Sequence, residues 1–283
     1  MRKCIRRIVT AVVLLLVICA VGAIFMRNAP LELTEYTVTS RRLPASFDGF
    51  RIAQISDLHN TQFGENNEQL LAMLQAAKPD MIAITGDMID GRRTDVQAAL
   101  QFAQEAVKIA PCYYVNGNHE QSTRAYFDLK NGLEALGVEV LEDDWTQIVR
   151  DGQRLRIVGV MDPSYPSALF DGDDAQVMLI KLEMLKSAED YTVLLCHRPE
   201  MFEVYSRCGI DLALTGHAHG GLLRLPFVGG VFAPDQGFFP KYDGGLFADG
   251  DTQMIVSRGL GNSLVPIRIN NPPEVVLITL ECE

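Results

Sequence analysis

Histidine is scarce in this chain, with five residues among 283. Positive charge is also in short supply: 25 Lys and Arg face 36 Asp and Glu, leaving a net charge of −11. That deficit argues against nucleic acid, because neutralising a polyanion takes many lysines and arginines. An anionic substrate would need a local attractor instead, and a metal ion would serve. The six cysteines (Cys4, Cys19, Cys112, Cys196, Cys208 and Cys282) form neither a CxxC pair nor a metal-like spacing. Cys112 and Cys196 lie in apolar, strand-like runs, where buried free thiols are expected. Internal repeats and low-complexity tracts are missing too. With 48% hydrophobic and 22% charged residues, the balance is that of an ordinary globular protein.

One long stretch lacks charge altogether. IVTAVVLLLVICAVGAIFM, Ile8 to Met26, follows MRKCIRR with its four cationic side chains. The run is long enough to cross a bilayer as a helix. Its positive flank predicts a cytoplasmic N-terminus, with the rest of the chain on the far side of the cell membrane. The small residues Ala20, Gly22 and Ala23 leave a second reading open, a leader cleaved on export. The expected organisation is an anchor or signal segment over 1–28, a linker over 29–47 that merges into an edge strand, and one domain over 48–283.

Within that domain short apolar runs alternate with helical patterns. RIAQIS (51–56), MIAIT (81–85), CYYVN (112–116), RLRIVGVM (154–161), YTVLLC (191–196), DLALT (211–215), QMIVS (253–257) and EVVLITLE (274–281) read as strands. Helices are expected over 66–77, 94–110 with Thr94 as N-cap, 122–136, 175–187 and 199–207. Such alternation predicts an α/β fold, and the strand-rich second half suggests a second sheet packed face to face with the first.

All five histidines fall in polar stretches that begin where strands end: SDLHN (56–60), GNHE (117–120), CHRPE (196–200) and GHAHG (216–220). A fifth such stretch, GDMID (86–90), carries carboxylates. Ligands of open α/β sheets bind beyond the carboxyl ends of strands, so five clusters converge on one place. Asp57, His59, Asp87, Asn118, His197, His217 and His219 offer carboxylate, amide and imidazole donors. That set suits manganese, iron, zinc, cobalt or nickel, not calcium. Seven donors exceed the needs of one ion with open positions. Two ions sharing a carboxylate are indicated, able to bind a bridging hydroxide for in-line attack at phosphorus. An extended His217-Ala218-His219, slightly twisted, would send one ring to each ion, with Gly216, Gly220 and Gly221 permitting the turn.

DLH, GD…D, GNHE, the strand-end histidine and GHAH, in this order, resemble the calcineurin-like metallophosphoesterases over about residues 50–220. The resemblance implies a two-sheet sandwich flanked by helices. It implies one ion on Asp57, His59, Asp87 and His219 and another on Asp87, Asn118, His197 and His217, Asp87 being the bridge. It gives His119 the role of protonating the leaving group or steadying transition-state charge. The bridging hydroxide would be the nucleophile. The N-terminal run and RGLGNS…P (258–266) look like the bacterial membrane-linked branch, some of whose members cleave lipid-linked nucleotide sugars at a pyrophosphate. A broad envelope phosphomonoesterase or phosphodiesterase is the alternative, and a non-catalytic membrane-anchored scaffold is the rival of another class.

Several side chains have two readings. Asp90 and Glu120 are either hydrogen-bond partners of the ligand histidines or solvated loop carboxylates. Arg224, Lys241, Arg258 and Arg268 are either phosphate contacts or surface charge. The segment 222–247, rich in Gly, Pro and Phe, is either a self-packed hairpin and loop or an apolar rim touching a lipid-bearing substrate or the bilayer.

Overall fold

The computed structural model describes residues 30–163, 174–262 and 268–283, with four isolated positions before residue 30. The apolar run 8–26 lies outside the described residues but for Thr10, Val13 and Leu14. Among the described residues, no helix is long and apolar enough to cross a membrane.

Two six-stranded sheets carry the fold, with strands numbered along the chain. The first has the order β1 (Glu32–Ser40), β16 (Glu274–Cys282), β2 (Arg51–Ile55), β3 (Met81–Thr85), β4 (Cys112–Val115) and β5 (Glu139–Val140). The second runs β14 (Gly245–Asp249), β15 (Thr252–Val256), β9 (Leu212–Thr215), β8 (Tyr191–Leu195), β7 (Gln153–Gly159) and β6 (Asp144–Arg150). Both sheets are mixed. β2, β3, β4 and β5 run parallel and so do β7, β8, β9 and β15, while β16 is antiparallel to β2. Two short antiparallel ribbons, β10 (Arg224–Leu225) with β11 (Gly229–Gly230) and β12 (Phe232–Ala233) with β13 (Gly237–Phe238), precede β14.

The central strands are buried on both faces, which is why they read as unbroken apolar runs. Ile52, Met81, Tyr113 and Val115 of the first sheet pack with Ile157, Val193, Leu195, Leu212, Leu214 and Ile255 of the second. Each fully buried aliphatic side chain here contributes roughly 1.5–3 kcal/mol of transfer free energy. Ile82 and Ile84 face outward onto helices Glu68–Ala77, Val96–Ala106 and Tyr126–Ala135. Leu194 and Ala213 do the same onto helices Asp174–Leu185 and Phe202–Arg207. The layers are helix, sheet, sheet, helix, as expected.

Three local expectations change. In the stretch read as a linker merging into an edge strand, that strand starts early: nine of residues 29–47 form β1, paired in parallel with β16 from Glu32↔Glu274 to Ser40↔Cys282. The cap of helix Val96–Ala106 is Asp95, whose Oδ1 accepts from the Ala98 N–H, while the Thr94 hydroxyl donates to Asp90 O. The helix expected over 122–136 begins earlier and breaks into Asn118–Gln121 and Tyr126–Ala135. Cys112, Cys196 and Cys208 are buried free thiols, and Cys282 is an exposed one.

Candidate metal centre

The carboxyl ends of β2, β3, β4, β8 and β9 lie side by side, and the five polar stretches meet there. Asp57, His59, Asp87 and His219 form one buried cluster of donor atoms within 4.8 Å of one another, and Asp87, His197 and His217 form a second. Asp87 belongs to both. Its Oδ2 lies 3.6 Å from His59 Nε2 and 3.2 Å from His197 Nε2. Asp57 Oδ1 lies 3.3 Å from His219 Nε2 and 3.8 Å from His197 Nε2. The His59 and His219 rings stack with centroids 5.0 Å apart, their Nε2 atoms 3.2 Å from each other.

The backbone at these residues is unusual. Asp57, His59, Asp87, His217 and His219 all have φ between 44° and 65°, the left-handed region that most non-glycine residues avoid. Such conformations cost of order 1–3 kcal/mol each and collect at functional sites. They also correct the expected geometry of GHAHG. His217 at φ 65, Ala218 at φ −71 and His219 at φ 48 make a tight turn, not an extended segment. That alternation of hand sends the two imidazoles to different clusters.

The donor set fits metal ions on grounds of hydrogen bonding alone. His197 Nδ1–H donates to Thr85 O at 2.7 Å, so Nε2 faces Asp87. That Nε2 is buried without a hydrogen-bond partner, as is Asn118 Oδ1. A ring nitrogen set 3.2 Å from Asp87 Oδ2 and 3.8 Å from Asp57 Oδ1 in a dry site calls for a cation there, a proton or a metal ion. The electrostatics agree. Burial opposes charge on His197, but Asp87 and Asp57 outweigh it and push its pKa up to about 10. Although burial acts against it, Asp87 is held well below the usual carboxylate range by His197 and His59. Burial pushes His59 down to about 3, and it lowers His219 as well. Both rings are therefore neutral at pH 7, the form that binds metals.

His119 stands at the edge, its ring against His59 at 4.5 Å and its side chain 15% exposed. Its Nδ1 accepts the Gly91 N–H at 3.1 Å, which leaves the proton of the neutral ring on Nε2. Its backbone N–H donates to Asp87 Oδ1 at 2.9 Å.

Some outer residues differ from both of their expected readings. Glu120 is fully buried and accepts from the backbone N–H groups of Asp87, Gly117 and Ile89 at 2.8–3.0 Å. It ties the ligand loops together by their backbones, with no bond to a ligand ring. Burial, with the Asp87 charge added, raises its pKa to about 8. Asp90 caps its own loop, accepting from Arg92 N–H at 2.8 Å. Arg268 is buried, not a surface charge, and donates to Arg258 O, Gly261 O and Asn262 Oδ1. Arg258 pairs with Glu274 at 2.5 Å and Glu32 at 3.2 Å, Arg224 with Asp243 at 3.1 Å, and Lys241 with Glu203 at 3.5 Å. Only Lys241 is exposed surface charge. The loop that Arg268 supports leans on the first cluster: a Cβ on Gly259, which has φ 72, would meet Asp57 Cβ at 2.7 Å.

Arg198, Asp162 and Asp235 were missed by sequence reading. Arg198 makes a two-pronged contact with Asp162 at 2.5 and 3.0 Å, and its Nη1 reaches His217 Nε2 at 3.0 Å as well as Asp235. Asp235 Oδ2 lies 2.9 Å from His217 Nε2. A carboxylate on one ring nitrogen leaves the other bare for a metal, the usual arrangement around ligand histidines. The only signal was Arg198 beside a ligand histidine; Asp162 and Asp235 come from distant loops.

The calcineurin-like phosphoesterase profile matches residues 50–221. An uncharacterised metallophosphoesterase of Bacillus subtilis, YkuE, is 30% identical over 256 residues, covering 89% of this chain and 86% of the relative. The phosphodiesterase YaeI of Escherichia coli is 30% identical over 236 residues, 82% of each chain. Among solved structures, the sulfate thiohydrolase SoxB of Thermus thermophilus superposes with a TM-score of 0.52 at 13% identity, covering 84% of this chain and 57% of that one, a likeness of fold alone. With the profile spanning most of the domain and the motifs meeting at one centre, the protein belongs to the calcineurin-like phosphoesterase family of metal-dependent phosphoester hydrolases.

Proposed function

We propose that the chain hydrolyses phosphodiesters at a pair of transition-metal ions, manganese, iron or zinc. Asp57, His59, Asp87 and His219 would hold one ion and Asp87, Asn118, His197 and His217 the other. The observation that carries this reading is Asp87 Oδ2, set between His59 Nε2 at 3.6 Å and the unpartnered His197 Nε2 at 3.2 Å. When bound, such a pair supplies an activated hydroxide and neutralises charge on the phosphoryl oxygens.

The chain's own groups supply the rest. Glu120 and the His119 N–H fix both ends of the Asp87 loop, so the shared carboxylate is preorganised. His119, with its proton on Nε2 at the edge of the centre, donates to the departing oxygen. The acidic protein attracts its anionic substrate only through the local cations. The relative named a phosphodiesterase supports the diester reading. Cleavage of a lipid-linked nucleotide sugar is the narrower form of the same chemistry, at an anhydride instead of an ester. The apolar run 8–26 supports placing the domain outside the cytoplasm on a membrane anchor.

The test is turnover by the full chain in detergent with manganese, offering aryl phosphodiester, aryl phosphomonoester and UDP-sugar substrates. Faster diester hydrolysis that disappears in Asp87→Asn supports the proposal. Equal turnover by both proteins would overturn it.

A further inference from the structure

Six of the fifteen large apolar side chains exposed among the described residues crowd into 225–239: Leu225, Phe227, Val228, Phe232, Phe238 and Phe239. Phe227 is fully exposed at the tip of the β10–β11 ribbon, with Val228 at 59%, and Phe238 and Phe239 are 75% and 64% exposed at the end of β13. A patch of this kind on a soluble surface marks an interface. The ribbons are built onto the ligand loop itself. A Cβ on Gly221, just past His219, would come within 2.4 Å of Gly230 Cα, and Val231 N–H donates to Gly221 O. The exposed aromatics are thus the rim of the metal centre.

Topology says what they face. Because β16 is antiparallel to β2 and β1 is parallel to β16, β1 begins at the carboxyl end of β2, the end that carries Asp57 and His59. Contacts tie that entry point to both the centre and the rim. Glu32 pairs with Arg258, and the next residue, Gly259, abuts Asp57. A Cβ on Gly244 would lie 2.9 Å from Arg258 Cγ and 3.4 Å from Arg224 Nη1, at the ribbon base. Only residues 27–31 separate Glu32 from the uncharged run that ends at Met26. At ~3.6 Å per residue that linker reaches no more than about 20 Å. An anchor in a bilayer therefore holds the metal end of the domain, and its apolar rim, against the same bilayer. The net charge of −11 gives no attraction to anionic lipid, so contact has to come from inserted apolar side chains.

We infer that the β10–β13 ribbons are a membrane-docking rim, with Phe227, Val228, Phe238 and Phe239 seated in the lipid headgroup layer so that the metal centre opens onto the bilayer surface. This rests on reading 8–26 as an anchor. The occupant is lipid, and the reaction acts on phosphodiesters presented at a membrane.

The test uses the full chain in phosphatidylcholine vesicles, with Cys4, Cys19 and Cys282 changed to serine. A fluorophore is attached at Phe227→Cys, at Phe239→Cys, or at Asp151→Cys in the β6–β7 turn at the far end of the sandwich. Nitroxide-bearing lipid should quench the two rim labels more than about threefold better than the Asp151 label, the behaviour of groups roughly 5–10 Å into the interface. Equal quenching by aqueous iodide at all three sites overturns the rim while leaving the anchor intact. Labels shielded from iodide but blind to the lipid nitroxide mean that the N-terminal run or a second copy covers the rim, and also overturn it. Release of the chain from vesicles by alkaline carbonate overturns the anchor itself.

Discussion

The two halves of the candidate metal centre share Asp87 and differ in how their histidines are held. The half around Asp57, His59 and His219 is set by backbone. All three residues sit in the left-handed region, the imidazoles stack, and the Nδ1 atoms of His59 and His219 have no hydrogen-bond partner. What holds Asp57 is the close fit of Gly259, the Ser56 hydroxyl, which donates to Asp57 Oδ2 at 2.6 Å, and the His217 N–H, which donates to both carboxylate oxygens at 3.2 Å. The half around His197 and His217 shares that backbone hand at His217, φ 65, and adds hydrogen bonds to its rings. Thr85 O orients one ring, and Asp235, with Arg198 braced on Asp162, orients the other. Both halves are closely packed, a Cβ on Gly86 coming within 2.8 Å of His197 Nδ1, but only the second has a histidine held by a removable side chain, Asp235. Substitutions should separate the two.

Asp87→Asn breaks both halves at once and is expected to have the largest effect. It should lower diester turnover by about 1,000-fold, beyond the 10–100-fold typical of losing an outer partner, with bound metal falling toward zero. Metal content by mass spectrometry, read beside turnover, checks it. His59→Ala and His197→Ala should each remove one ion of the pair and cost about 100-fold in turnover. Loss of both ions from either variant would contradict independent halves. Gly259→Ala should act on the first half by overpacking against Asp57, with about 1–3 kcal/mol of stability lost in a denaturant melt. An unchanged melt and unchanged metal content would show that the loop yields without moving Asp57. Asp235→Asn should act on the second half alone, weakening one ion about tenfold and leaving the other unaltered in a metal titration. Equal weakening of both ions would show that the ribbon supports the whole centre.

The candidate ligand positions stand out in the sequence for a physical reason. Strands buried on both faces must be apolar throughout, so the polar cluster at each carboxyl end stands out sharply, as in MIAIT followed by GDMID. Asn118 stands out by its place in GNHE, and its buried Oδ1 has no hydrogen-bond partner. What could not be read depends on contacts between distant segments. Asp162, Arg198 and Asp235 each sit in ordinary polar loops, and only the folded chain brings them to His217. Glu120 acts on backbone N–H groups, a role that leaves no side-chain pattern. Arg268 looked like surface charge because its acceptors are mainly carbonyls of the 258–262 loop. The edge strand β1, expected where the linker merges into the domain, has its less exposed positions at Thr34, Tyr36, Val38 and Ser40, an alternation of period two.

A pair of ions joined by Asp87 is the core of the proposed function. Anomalous X-ray diffraction from manganese-soaked crystals tests it most directly. Two peaks about 3.5–4 Å apart are expected on either side of Asp87 Oδ2, one beside His59 and His219 and the other beside His197 and His217. A single peak, or two peaks with no contact to Asp87, would contradict it.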